Sequence, residues 1–300
     1  MYVITGASGN TGSVVAKTLL DQGKKVRVIS RNSSHLRQFT ERGAEAVVAD
    51  ITDTNQLARA FNGAEAVYAM IPPNYSAPDT LAYDERVTTS LASALENAKV
   101  RYVVNLSSIG AERPSGNGPV VGLYRQEQAF NAVRGLNVLH LRAGYFMENT
   151  LAQVDIIHAT GSAGGPVRGD LKVGMIAAHD IGVAAAQALV RLDFNGHQSR
   201  ELQGQRDISY NEVASIIGKA IGKPALKYTQ LPDAQVHSAM TRMGMSPNLV
   251  DLLLQMTGAM NSGQMKAQEP RTQQNSTPTS YENFVAEVFL PVYQKASKAA

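Results

Sequence analysis

Three glycines at positions 6, 9 and 12 stand in the opening segment Met1-Tyr-Val-Ile-Thr-Gly-Ala-Ser-Gly-Asn-Thr-Gly12, between a short apolar run and a helical pattern that continues through Leu20. The physical reading is strand, tight turn, helix. Gly6 permits the turn, Gly9 lets backbone approach a pyrophosphate, and Gly12 lets helix and strand pack closely. Unpaired N–H groups at the helix start suit that pyrophosphate, so Thr5, Gly6, Ser8, Gly9, Asn10, Thr11 and Gly12 are candidate cofactor contacts. The next strand, Lys25 to Ser30, runs into Arg31, where an acidic residue would ordinarily take the adenosine ribose hydroxyls. Arginine cannot accept those protons, but its fork matches a phosphate. Arg31, with Ser30, Asn32 and Ser33 beside it, therefore favours NADPH/NADP+ over NADH. Arg37, in the following helix, either reaches the same phosphate or is an ordinary solvated residue.

A second group of residues suits hydride-transfer chemistry, which needs a donor or electrostatic stabiliser near the acceptor. Tyr124 is the candidate, with Ser107 and Ser108 lying 17 and 16 residues upstream. The lysine that would lower the tyrosine pKa one helical turn later is absent, and Gln128 stands there. Tyr124 then acts as a weakly activated acid, hydrogen-bonds to cofactor, or simply packs on its helix. Tyr145, Phe146 and Asn149, in the stretch Leu141 to Asn149, combine a flat apolar face with an amide, as a nicotinamide wall would, or else serve as interdomain core and helix cap. Six of the ten methionines (240, 243, 245, 256, 260 and 265) cluster late in the chain. They line a broad pocket for an aromatic acceptor or pack two helices together. The six histidines show no metal-ligand spacing, so no metal site is expected. His179 reads as a loop residue and Asp180 as a helix N-cap. No Gly-x-Ser-x-Gly elbow is present.

These groups need a scaffold. Apolar runs at 46–50, 66–71, 101–106 and 136–141 read as strands separated by helices at 54–61, 79–98 and 122–134. Such alternation predicts an α/β fold, a Rossmann-like doubly wound parallel sheet with right-handed crossovers. Asp50 and Ile51, after the third strand, are placed at the adenine edge, with a turn cap as the alternative for Asp50. Met70, Ile71 and Pro72, after the fourth, are placed beneath the ribose and pyrophosphate, and Ser107-Ser108 near the reacting end. Beyond 150 the alternation weakens: a helix at 150–160, a Gly/Pro turn region at 161–169, an Ala-rich helix ending near Leu192, and a mixed portion including 201–203, 209–221 and 227–229. Helices at 232–243 and 246–260, a polar tract at 261–280 and a final helix follow. Residues 1–150 are therefore expected to form the NADP(H)-binding domain, and 151–175 with 193–300 a smaller C-terminal α/β lobe over the carboxyl edge of the sheet.

With 300 residues, 44% of them apolar and 18% charged, the chain can bury a large core. The net charge is +3 and the basic residues are scattered, which gives no nucleic-acid footprint. No stretch approaches a membrane span, and because the N-terminus enters a strand at once, no signal peptide is expected. Zero cysteines exclude disulfides and thiol catalysis and fit a cytoplasmic protein.

The motifs Gly6-Ala-Ser-Gly-Asn-Thr-Gly12, Arg31, Ser107-Ser108, Leu141 to Asn149, Met175 to Gly182 and Gly218 to Pro224 together resemble the NmrA-like family of atypical short-chain dehydrogenases/reductases over nearly the whole chain. That resemblance implies an NADP(H)-preferring Rossmann domain to which residues 176–192 return, and a small C-terminal lobe. It implies either a reductase of quinones or azo compounds, acting on a small aromatic substrate, or a dinucleotide-binding regulator of a protein partner with little turnover. Relatives often carry a lysine or histidine near Tyr124, and this chain carries neither at 124 or 128. Quinones tolerate that absence, because the developing oxyanion is stabilised by its ring; Tyr124, Ser108 or water would finish the proton transfer. An epimerase or ordinary alcohol dehydrogenase is disfavoured. Whether the chain forms a homodimer is left open.

Overall fold

The computed structural model describes residues 1–299. Its first half alternates as expected: β1 (Tyr2–Ile4), α1 (Asn10–Asp21), β2 (Val26–Ser30), α2 (Arg37–Thr40), β3 (Glu45–Val48), α3 (Thr54–Phe61), β4 (Ala66–Ala69), α4 (Thr80–Asn97), β5 (Tyr102–Ser108), α5 (Val120–Asn131) and β6 (Asn137–Ala143). The second half contributes β7 (Tyr145–Phe146), α6 (Gln153–Thr160), β8 (Ala163–Gly165), β9 (Lys172–Ile176), α7 (Ala178–Arg191), β10 (His197–Leu202), β11 (Asp207–Ser209), α8 (Tyr210–Ala220), β12 (Tyr228–Gln230), α9 (Asp233–Arg242), α10 (Pro247–Asn261), α11 (Tyr281–Phe284) and α12 (Leu290–Ala299). Side-chain oxygens of Asp53, Asp79, Ser209 and Ser246 cap α3, α4, α8 and α10, taking N–H groups that the helices leave unpaired. No helix among the described residues is long and apolar enough to cross a membrane.

Seven parallel strands form one sheet in the order β10-β6-β5-β4-β1-β2-β3. Its inner strands β1 and β4 are buried at every residue, as a sheet covered on both faces requires. One face packs against α1 and α7 through residues such as Ile4, Val104, Leu141 and Ile181; the other packs against α3, α4 and α5 through Val67, Val103, Leu91 and Phe130. α7 lies against α1 so closely that a Cβ on Gly182 would sit 2.5 Å from Val14 Cβ. Residues 176–191 thus pack on the main sheet.

β10 departs from expectation. Residues 201–203 were placed in the smaller lobe, but His197–Leu202 pairs with β6 along its whole length as the sheet's edge. Five of its six residues, His-Gln-Ser-Arg-Glu, are polar, so its sequence lacks the apolar run of the inner strands. The Gly/Pro region at 161–169 also contains a strand, β8, paired with β12. The remaining lobe holds the sheet β11-β9-β7 and a third core of Met147, Ile157, Ile217, Phe284 and Phe289. The polar tract 261–280 is a strap. Glu201 accepts the N–H groups of Gln268 and Glu269 at 2.8 and 3.0 Å, and Gln203 exchanges backbone bonds with Asn275 and Thr277.

Two buried titratable groups pull stability in opposite directions with pH. Burial lowers His140 to about 4, so its neutral ring resists protonation that the unfolded chain accepts below about 6.5. Burial raises Asp84 to about 7, so the folded carboxyl keeps a proton that the unfolded chain releases above 3.8. His140 therefore makes stability rise with pH between about 4 and 6.5, and Asp84 makes it fall between about 4 and 7, by at most roughly 3 and 4 kcal/mol respectively. In urea unfolding across pH 4–7, D84N should show stability increasing with pH and H140Q should show it decreasing. Slopes of the same sign in both variants would refute the assignment.

Candidate active site

The strand order reverses between β1 and β4, and the crevice outside their carboxyl ends is where open α/β sheets bind ligands. Residues 5–9 cross its floor. Gly6 adopts φ +61°, a left-handed conformation costly for any side chain, and a Cβ there would lie 2.7 Å from Met70 Sδ. A Cβ on Gly12 would overlap the carbonyl oxygen of Gly6. Strand end and helix start meet backbone to backbone, as the motif predicts. No side chain caps α1, and Ser8, Gly9 and Asn10 are exposed beside its first turn. This geometry leaves helix-start N–H groups for an anion.

Thr5 and Thr11, expected as cofactor contacts, also hold structural bonds. Thr5 Oγ1 donates to the Tyr68 carbonyl at 3.0 Å, and the Tyr68 hydroxyl donates to Thr11 Oγ1 at 2.8 Å. Tyr68 is wholly buried, and its two bonds tie the glycine loop and α1 to β4. Sequence inspection missed it because a tyrosine inside an apolar strand reads as core.

The two arginines differ. Arg37 pairs with Glu41 at 2.9 Å, one helical turn away, as an exposed helix residue does. Arg31 is exposed at the carboxyl end of β2 and has no hydrogen bond or ion pair among the described residues. Ser30 Oγ accepts from the Asn32 N–H, and Asn32 Oδ1 accepts from the Ser34 N–H, shaping the turn around it. Asp50 Oδ1 accepts from the N–H and hydroxyl of Thr52 at 2.9 and 2.8 Å, the turn-cap alternative, and Ile51 is buried beside it. Burial raises the pKa of the Tyr83 phenol, and the Arg31 charge opposes that rise. Met70 packs against the α1 and α7 side of the core and Ile71 against the opposite side, with Pro72 half-buried beyond them.

At the other end of the crevice, β5 splits its serines between the two sheet faces. Ser108 Oγ donates to the carbonyl of Ile109 at 2.9 Å. Ser107 lies on the face covered by α4 and α5, where its hydroxyl donates to Glu127 Oε1 at 2.6 Å. That bond makes Ser107, expected as a cofactor contact, part of a buried network. Arg142 grips Glu127 with two bonds, Nε to Oε1 at 3.0 Å and Nη2 to Oε2 at 2.6 Å, and its Nη1 lies 3.7 Å from Glu112. One layer deeper, Asn105 donates to His140 Nδ1 at 3.1 Å and His140 Nε2 faces Asn131 Oδ1 at 3.0 Å. The only signal for this polar layer in the sequence is the presence of Asn105, His140 and Arg142 inside otherwise apolar strands. Tyr124 is half-buried on α5, one turn before Glu127, with no hydroxyl partner among the described residues.

β7 is the seam between the two parts. Tyr145 turns into the lobe core, where its hydroxyl accepts from Tyr210 at 3.1 Å, and Phe146 packs on the main core. Burial raises the Tyr145 pKa, while hydrogen bonds to Tyr210 and Asn149 oppose that rise. Asn149 is exposed and Tyr145 half-buried, so the interdomain-core alternative accounts for most of Tyr145. Asp180, expected as the N-cap of α7, lies inside its first turn and holds Thr279 of the strap at 2.8 and 3.0 Å. The Ala178 N–H is capped from outside by Glu148, at 3.0 and 3.1 Å. His179, expected in a loop, belongs to the same helical turn. Among the methionines, Met260 is buried, Met243 is 67% exposed, and Met265 packs against Gly110, two residues beyond Ser108.

Comparison with known proteins gives this arrangement a family. The model of the NmrA-like family matches residues 2–284. The NAD(P)H azoreductase of Xenophilus azovorans is 28% identical over 257 residues, 84% of this chain and 85% of that protein. Among solved structures, the NADPH-dependent quinone oxidoreductase of Escherichia coli, complexed with NADPH, superposes with a TM-score of 0.83 at 22% identity, covering 96% of this chain and all of the other. NmrA, a negative transcriptional regulator in complex with NADP, gives 0.72 at 16% identity, covering 99% and 97%. The chain belongs to the NmrA-like family.

The Gly6–Gly12 contact can be checked without any ligand. G12A should lower unfolding stability by about 2 kcal/mol, since overlap with backbone cannot be relieved by a rotamer change. A chemical denaturation midpoint matching wild type would contradict that packing.

Proposed function

From that family membership, we propose that the chain is an NADPH-dependent oxidoreductase that transfers hydride to a quinone-like or azo aromatic acceptor. One observation carries the cofactor half of this reading: the unpartnered Arg31 guanidinium at the end of β2, beside the uncapped start of α1. The azoreductase relative, similar over most of both chains, supports the acceptor class. The chain's residues fit the dinucleotide. The α1 N-terminus and the Gly6–Gly12 cradle suit a diphosphate, and Arg31 suits a 2′-phosphate by charge-assisted hydrogen bonding. When bound, the nicotinamide supplies hydride.

Proton delivery is the lesser demand. A quinone's developing oxyanion is delocalised over its ring, so Tyr124 or Ser108, or water beside them, suffices without the lysine that Gln128 replaces. The lobe and α10, with Met265 of the strap packed against the loop after β5, would form the acceptor side of the crevice. A cytoplasmic setting and a small aromatic substrate belong to the same proposal. The likeness to the NADP-bound regulator favours a second reading, an NADP(H)-binding sensor that acts on a protein partner with little turnover.

The cofactor half has a direct test. R31A should raise the KM for NADPH about 10- to 100-fold, the loss of a charge-assisted bond worth roughly 1.5–3 kcal/mol, and leave the KM for NADH within about twofold. Equal losses for both cofactors would remove the phosphate role.

A further inference from the structure

The mechanism proposed above leaves the most highly charged buried cluster in the main domain without a task. Glu127 is 2% exposed and Arg142 17%, and the pair lies at the carboxyl ends of β5 and β6. If Arg31 holds the adenosine end beyond β2, the dinucleotide runs along the sheet edge in the opposite direction, and its nicotinamide reaches β4, β5 and β6. The cluster therefore lies behind the reacting end.

Each member ties down a different piece of that end. Glu127 comes from α5, one turn after Tyr124, and takes the Ser107 hydroxyl at 2.6 Å, fixing the residue before Ser108. Arg142 comes from β6, three residues before Tyr145, and reaches Glu112 in the loop that continues past Gly110 to α5. Glu112 Oε2 has no hydrogen-bond partner among the described residues, and the Arg142 charge at 3.7 Å is what compensates it. Helix, loop and two strand ends thus converge on one guanidinium. Holding the buried Glu127 carboxylate against a largely covered guanidinium is expensive, and replacing such a pair with apolar side chains is often neutral or stabilising. Stability alone does not account for it. A fixed fork does explain the geometry, because two parallel bonds set direction as well as distance.

We infer that Arg142 and Glu127 are positioning residues for the reaction centre, fixing Ser108 and Tyr124 relative to the nicotinamide without touching substrate or cofactor. The inference rests on the reductase reading for its kinetic consequence but not for its geometric one. An ammonium keeps the charge and loses the fork, so R142K separates positioning from charge.

The test uses the full chain with NADPH and a quinone that wild type reduces. R142K and E127Q should each slow single-turnover hydride transfer at least tenfold, and the double variant should lose no more than the worse single. The Kd for NADPH should stay within twofold and the Tm within a few degrees. Hydride transfer within twofold of wild type in R142K, or a loss that tracks NADPH affinity or Tm, would overturn the inference. Emission of bound NADPH supplies a readout independent of turnover: R142K should change the nicotinamide fluorescence yield at saturation, and an unchanged yield counts against positioning. If wild type reduces no acceptor, the reductase reading fails, and the fluorescence arm still decides on the pair.

Discussion

A contact between two pieces of backbone governs this molecule. The carbonyl of Gly6 occupies the space where a Cβ on Gly12 would stand, so the first strand and first helix meet with no side chain between them. That approach sets the direction of α1 and aims its start at the crevice beside β4. Tyr68 holds the contact in place through Thr5 on one side and Thr11 on the other, and α7 closes over α1 at Gly182. Loosening any of these moves the helix start and, with it, the place for a diphosphate.

The two faces of the sheet divide the remaining work. The α1 and α7 face is apolar and supports the glycine loop. Toward its carboxyl end, the α5 face carries a polar layer, with Asn105, His140 and Asn131 hydrogen-bonded deep, Ser107, Glu127 and Arg142 hydrogen-bonded nearer the edge, and Glu112 ion-paired to Arg142. Such a layer contributes little net stability and much geometric definition. The second part of the molecule is joined by carboxylates instead of a hydrophobic seam alone: Glu148 caps α7, Asp180 holds Thr279, and Glu201 holds the strap backbone. The second part of the molecule is thus secured to α7 and to the edge strand β10 of the main sheet.

How much of this was legible in the sequence depended on the range of the interaction. The glycine motif, the helix start at Asp53 and the alternation through β6 are local, and they stand where the residues place them. Arg31 and Arg37 are both phosphate candidates by type, and Glu41, an i,i+4 partner visible on a helical reading, pairs with Arg37. β10 was misplaced because an exposed edge strand of His, Gln, Ser and Arg carries no burial pattern. The bond from Ser107 to Glu127 spans 20 positions between two elements, and nothing local signals it. Asp180 fits a cap by type, yet the cap came from Glu148, 30 residues upstream of Ala178.

The measurement that bears most directly on the central proposal is steady-state oxidation of NADPH with a panel of quinones and azo dyes, run beside NADH and a control without acceptor. Saturable oxidation above background, with a higher kcat/KM for NADPH than for NADH, is the expected result. Tight NADPH binding with no oxidation above background for any acceptor would contradict it and leave the sensor reading in its place.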